Sequence, residues 1–347
     1  MSATSGQVTI SFGPTQRAAP DDLWIESTRV LQQARAELRV LAHELSDPRV
    51  VNAMLLVAER RGIRVRAILE EDYIFDDTAS ATPWTPGGRN EAQRDAFAAL
   101  ARGAIRVRLD GRGGSLQHTN VILARDTAAG GSAVYLSSAN FTRSNLTQHL
   151  NAAVRIVSDP VASGLATYFD QVWATSQAGA KTLALPVEAG ASGSVTIGTG
   201  GVSQDQVIAV IDAATSSVDI AMFNLALGNP GFEAVDRALD RGVDVRGVVD
   251  GDQRGNAWDA VPALRAKGAD LRYLDGMVAT GLGRMHHKTI LVDDRVAAIG
   301  TGNLSTAARQ AHELVVVLDQ AQAPGPWPMA QYVKLELDRL FVLAPLG

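Results

Sequence analysis

Short runs of aliphatic and β-branched residues alternate along this chain with stretches whose apolar positions recur every three to four residues. Val8-Thr9-Ile10 and Val195-Thr196-Ile197 show the two-residue alternation of strands. Val51 to Glu59 and Phe232 to Asp240 carry the one-sided spacing of amphipathic helices. Thr289-Ile290-Leu291-Val292 predicts a strand, Asp293-Asp294 a turn, and a second strand leads into the polar loop Gly300-Thr301-Gly302-Asn303-Leu304-Ser305.

The pattern occurs twice. Arg61-Gly62-Ile63-Arg64-Val65-Arg66 is echoed by Arg241-Gly242-Val243-Asp244-Val245-Arg246, and Gly103-Ala104 leading to Leu109-Asp110-Gly111 by Gly268-Ala269 leading to Leu274-Asp275-Gly276. Each unit reads strand, helix, strand, helix, strand, helix, strand and then a hairpin, which predicts an α/β layered fold with mixed sheets. The units are expected at 1–180 and 194–347, with the Gly-, Ala- and Ser-rich segment from Ser176 to Ser194 as linker. Tyr168 to Trp173 and Leu335 to Phe341 read as their closing helices. Loops at Tyr73 to Arg94 and Gly251 to Trp258 follow strand ends, so Trp84 and Trp258 are candidate rim aromatics.

Candidate chemistry sits on the second hairpin. His286-His287-Lys288 precedes Asp293 and then Asn303 and Ser305, giving His-x-Lys-x4-Asp followed by Gly-x-x-Asn-x-Ser. Alternation on a strand aims His286 and Lys288 the same way, an imidazole and an ammonium suited to a phosphate ester. The chain has only four lysines, so one in this slot is informative. In the first half His118-Thr119-Asn120-Val121-Ile122-Leu123-Ala124-Arg125 aligns with that segment, with Asn120 for the lysine and Arg125 for the aspartate. After a longer turn (Thr127 to Ser132), Ser137-Ser138-Ala139-Asn140-Phe141-Thr142 retains the asparagine and a hydroxyl.

These motifs resemble the HKD motif of the phospholipase D superfamily over nearly the whole chain. The second half, with Ile220-Ala221-Met222-Phe223 and Val249-Asp250-Gly251-Asp252, is similar to compact bacterial nuclease-like members. The resemblance implies two αβα repeats with mixed β-sheets, packed about a pseudo-two-fold axis that brings His118 and His286 to one site. One imidazole would attack phosphorus, giving a phosphohistidine, while the other protonates the leaving oxygen. Lys288, Asn303 and Asn140 would hold phosphoryl oxygens, Asp293 would complete the motif, and Asn120, Ser305, Thr142 and Ser138 would meet the substrate. Glu313, ten positions after Asn303, would reach across to orient His118, while the matching position near Asn151 is neutral. His118 is therefore expected as nucleophile and His286 as acid. His43, which aligns with Phe223, and His149, His287 and His312 are read as structural.

The expected activity is nuclease-like phosphodiester cleavage without cofactor or metal. The alternatives are phospholipid head-group hydrolysis or transfer, and an inactive nucleic-acid-binding module suggested by Asn120 and Arg125. Composition narrows this little. A chain without cysteine excludes disulfides, thiolate chemistry and Cys-ligated zinc. The formal net charge of −5 argues against broad coating of nucleic acid but leaves room for a local basic site. With no run long enough to span a bilayer and a start unlike a signal peptide, a cytoplasmic monomer with pseudo-dimeric halves is expected.

Overall fold

A computed structural model of the chain describes residues 3–5, 8–60, 62–75, 81–111, 116–175, 183–187, 192–275, 283–319 and 328–345. The first half runs β1 (Ala3–Ser5), β2 (Val8–Gly13), α1 (Leu23–Gln33), β3 (Glu37–Ala42), α2 (Pro48–Ala58), β4 (Arg64–Glu70), α3 (Glu91–Arg102), β5 (Ile105–Asp110), β6 (Val121–Arg125), β7 (Ala133–Ser137), α4 (Arg143–Thr147), β8 (Asn151–Val157) and α5 (Asp159–Thr175). The second half repeats it: β9 (Leu183–Val187), β10 (Ser192–Thr199), α6 (Gly200–Asp212), β11 (Ser217–Met222), α7 (Pro230–Asp240), β12 (Asp244–Asp250), α8 (Val261–Ala266), β13 (Asp270–Leu274), β14 (Lys288–Val292), β15 (Val296–Gly300), α9 (Thr306–Gln310), β16 (His312–Asp319) and α10 (Pro328–Leu343).

Each half builds a mixed sheet. The orders β1-β2-β8-β7-β6-β3-β4-β5 and β9-β10-β16-β15-β14-β11-β12-β13 are the same path through the two repeats. β3, β4 and β5 are parallel and joined by helices, whereas β6, β7 and β8 form an antiparallel meander, and the second half matches. The central strands β6, β7, β14 and β15 are buried on both faces, which is why they read as continuous apolar runs. The repeat also extends to helix starts. Asp47 accepts the Arg49 amide ahead of Pro48, and Asn229 accepts the Gly231 and Phe232 amides ahead of Pro230.

Helices α1 to α3 cover one face of the first sheet and α6 to α8 one face of the second. A third core lies between the halves, joining Ile10, Val154, Leu291 and Val316 to Phe169 of α5 and Leu340 of α10. The expected linker requires correction. Part of it is β9, which pairs antiparallel with β10 and widens the second sheet, as β1 widens the first. Residues 192–194 begin β10, and the remainder, 176–182 and 188–191, lies outside the described residues, as does Arg61.

Candidate active site

Two short ladders stitch the halves together beside the motif histidines. In one, the His118 amide donates to the His312 carbonyl and the His312 amide to Leu116. In the other, the Leu150 amide donates to Arg284 and the His286 amide to Leu150. Gly283 makes the second ladder possible, since a Cβ there would lie 2.7 Å from the Gln148 carbonyl carbon. Buried carboxyls brace the segments in front of each histidine. Glu70 accepts the Gln117 amide and Asp250 the Met285 amide, and burial pushes them up to about 7 and about 6. No local pattern points to these braces, which stand far from the motifs in the chain.

The ladders set each histidine against a residue of the opposite half. His118 Nδ1 lies 2.9 Å from Glu313 Oε1, and the Thr301 hydroxyl donates to the other Glu313 oxygen. His286 Nδ1 lies 3.0 Å from Asn151 Oδ1, and the Ser138 hydroxyl donates to that same oxygen. The β7–β8 and β15–β16 registers make Ser138 and Thr301, and Asn151 and Glu313, equivalent positions. Asn151 gives both hydrogens of its Nδ2 to the carbonyls of Asn145 and His149. Its oxygen is therefore the acceptor, so His286 carries its proton on Nδ1 and its Nε2 is an acceptor.

Lys288 Nζ sits 3.1 Å from both ring nitrogens of His286 and 5.2 Å from the centre of the Phe223 ring. Burial pushes this ammonium down to about 7, against the pull of Glu313 and Asp250. His286 is held well below the ordinary imidazole value, first by burial and then by Lys288, His149, His118 and His43. The His43 ring centre lies 4.5 Å from that of His118, and the His149 ring centre 6.1 Å from that of His286. A cleft of about 220 Å³ opens beside His118, lined also by Asn224, Asn303, Ser305, Gln310 and Glu313. The side-chain oxygens of Asn303 and Asn224 are buried without hydrogen-bond partners among the described residues, leaving both amides uncommitted.

The first-half motif is committed instead. Asn120 Nδ2 donates to Asn140 Oδ1 at 3.0 Å, and Asn140 Nδ2 donates to Glu44 Oε1 at 2.7 Å. Asn120 Oδ1 accepts the His43 amide at 3.2 Å. The lysine slot is thus filled by an internal hydrogen-bond network. His43, read as structural from sequence, packs with its ring centre 4.5 Å from that of His118. Its alignment with Phe223 was the available signal, since that ring lies 4.8 Å from His286.

Three expected site residues make structural contacts. Asp293 accepts hydrogen bonds from Thr215, Ser216 and Ser217 at the far end of β14, roughly 17 Å of extended chain from Lys288. Burial alone would raise its carboxyl, but those bonds outweigh it and hold the group well below the usual carboxylate range. Arg125, its counterpart, ends β6 and is likewise remote from Asn120. Ser138 supports Asn151 rather than facing the cleft. Thr142 caps α4; Ser305 caps α9 but also lines the cleft. His287 is buried beneath the hairpin against Glu336 and Phe12, and the His312 ring meets the Tyr168 hydroxyl. Trp84 and Trp258 are exposed.

Residues 28–173 and again 207–340 match the family profile described as "Cardiolipin synthase, PLD-like domain", and the chain belongs to the phospholipase D superfamily. No curated protein matches it in sequence. Among solved structures it is similar to the phosphatidylserine synthase of Haemophilus influenzae Rd KW20, with a TM-score of 0.67 at 10% identity, covering 97% of this chain and 87% of that one. The polyphosphate kinase of Porphyromonas gingivalis matches with a TM-score of 0.56 at 12% identity, over 97% of this chain and 50% of that one. Nuc from Salmonella typhimurium matches 48% of this chain and 93% of its own, with a TM-score of 0.37 at 20% identity. At these identities the likeness is one of fold. No helix among the described residues is long and apolar enough to cross a membrane.

Proposed function

We propose that the chain is a phosphodiesterase working through a phosphohistidine on His118. The observation that carries this reading is the crossed support of the two histidines, Glu313 behind His118 and Asn151 behind His286. Glu313 stabilises the positive charge that His118 gains as its Nε2 bonds to phosphorus. The leaving oxygen takes a proton from His286 Nε2 as the P–O bond breaks. Neutral His286 then accepts a proton from water, the hydroxide attacks phosphorus, and the P–N bond to His118 breaks to release a phosphomonoester. Burial and Lys288 keep His286 neutral in the free site. The negative charge of the bound diester draws a solvent proton onto Nε2, and the same surroundings make the imidazolium give it up readily to the leaving oxygen. Lys288 and the side-chain NH2 groups of Asn303 and Asn224 would donate to the phosphoryl oxygens.

One fixed ammonium matches the single charge of a diester better than the double charge of a terminal phosphate. Our substrate reading is nuclease-like hydrolysis, with phospholipid head-group hydrolysis or transfer as the alternative. Bis-p-nitrophenyl phosphate, single- and double-stranded oligonucleotides and phosphatidylcholine vesicles, each assayed with EDTA, separate them. Cleavage of the first two sets is expected. Activity restricted to vesicles reverses the substrate reading, and dependence on added magnesium sinks the histidine mechanism. Trapping in a His286→Asn variant should leave phosphate on residue 118.

A further inference from the structure

The hydrogen-bond network that fills the missing-lysine slot ends in two acceptors beside His118. Asn140 Nδ2 donates to Glu44, so Asn140 Oδ1 is the atom facing His43 Nδ1 at 3.4 Å. His43 therefore holds its proton on Nδ1, and its Nε2 is an acceptor. That Nε2 is buried and has no hydrogen-bond partner among the described residues, in a side chain only 5% exposed. Next to it, Glu44 is partly open to solvent while Asn140 and Gln93 each donate to one of its oxygens. Glu44 lies within electrostatic reach of His118 and Arg284, at the seam between the halves. The second half has Phe223 and Asn224 at these positions, so the repeat is broken on this side only.

A carboxylate and a bare imidazole nitrogen offer nothing to a phosphate and repel it. They call for hydrogen-bond donors. We propose that His43 and Glu44 form a subsite for a hydroxyl or ammonium carried by one alcohol moiety of the diester. This deepens the diesterase reading and rests on it. The site would then take one charge on Lys288 and read the neighbouring alcohol through its donor. A substrate lacking the donor leaves the buried His43 Nε2 unpaired and the Glu44 charge unanswered, and that loss is what discriminates.

The test compares ethyl, 2-aminoethyl and 2,3-dihydroxypropyl p-nitrophenyl phosphates, with spontaneous release subtracted. In the wild type, kcat/KM should favour the aminoethyl or the dihydroxypropyl ester over the ethyl ester by about tenfold or more. Which of the two leads tells ammonium from hydroxyl. The ratio should fall towards one in Glu44→Gln and in His43→Phe, which installs the second-half residue. A wild-type ratio near one overturns the proposal, as does a ratio kept by both variants. Calorimetric binding of O-phosphoethanolamine and glycerol phosphate against ethyl phosphate reads the same contact without turnover. Selective binding without cleavage of any diester would fail the diesterase reading and leave the subsite standing, whereas equal affinities would remove the subsite.

Discussion

Glu313 and Asn151 occupy equivalent positions, yet one is a carboxylate and the other an amide. Replacing Glu313 with Gln keeps the shape behind His118 but removes the charge that answers an imidazolium. The expected loss in kcat is on the order of a hundredfold or more with the fold intact, and a rate within a factor of a few would end the assignment of His118 as nucleophile. Lys288 gives a pH signature. Its ammonium in the free site is depressed to about 7, so it is charged below that pH and neutral above it. The ratio kcat/KM should therefore fall as pH rises through about 7, while kcat holds to higher pH because the bound anion restores the proton. Lys288→Arg should move the basic limb upward. An unmoved limb would assign it to another group.

Asp293 shows how a motif position can serve an element instead of the chemistry. Both turn residues, Asp293 and Asp294, have positive φ, as a two-residue hairpin turn requires, and Asp293 fastens that turn to the start of β11. Asp293→Ala should cost about 1–3 kcal/mol of stability with little change in kcat at low temperature. Its folded carboxyl is depressed, so this contribution is present above the ordinary aspartate value and lost as pH falls below it. A variant as stable as the parent but poorly active would return Asp293 to the site. At this scale the repeat, the hairpins and the crossed Glu313 were legible in sequence because each is a local pattern or a fixed spacing. β9 was hidden because it is an edge strand, where Pro186 and small residues are tolerated and imitate a linker. His43, Glu44, Glu70 and Asp250 were hidden for another reason. Glu70 and Asp250 end β4 and β12, His43 and Glu44 directly follow β3, and only the sheet order brings those ends beside the motifs.

Over the whole molecule, several buried groups resist the charge they would carry in water. His287 is pushed down to about 3, chiefly by burial and then by Arg339 and Lys288. Between the ordinary histidine value and about 3 the unfolded chain binds a proton that the folded chain refuses, so stability falls as pH drops through that window. His43 and His286 act in the same direction. Glu70 and Asp250, raised by burial, act oppositely between the ordinary carboxylate range and about 7 and about 6. Thermal midpoints of the wild type and of His287→Gln between pH 7 and pH 4 isolate one term. The variant should lose less stability on acidification, by an upper bound of roughly 3 kcal/mol. Parallel curves would show that His287 does not contribute.

The crossed ladders also bear on ancestry. Were two identical chains to meet across such an axis, both histidines would have the same neighbours, and only the bound substrate could tell them apart. Joining the copies in one polypeptide lifts that constraint, because a substitution in one copy no longer appears in the other. Asn151 against Glu313, Asn120 against Lys288 and His43 against Phe223 are three places where this chain has used that freedom. A difference between the two histidines that is built into their supporting side chains before substrate arrives is something a duplicated gene can evolve and a self-associating single repeat cannot.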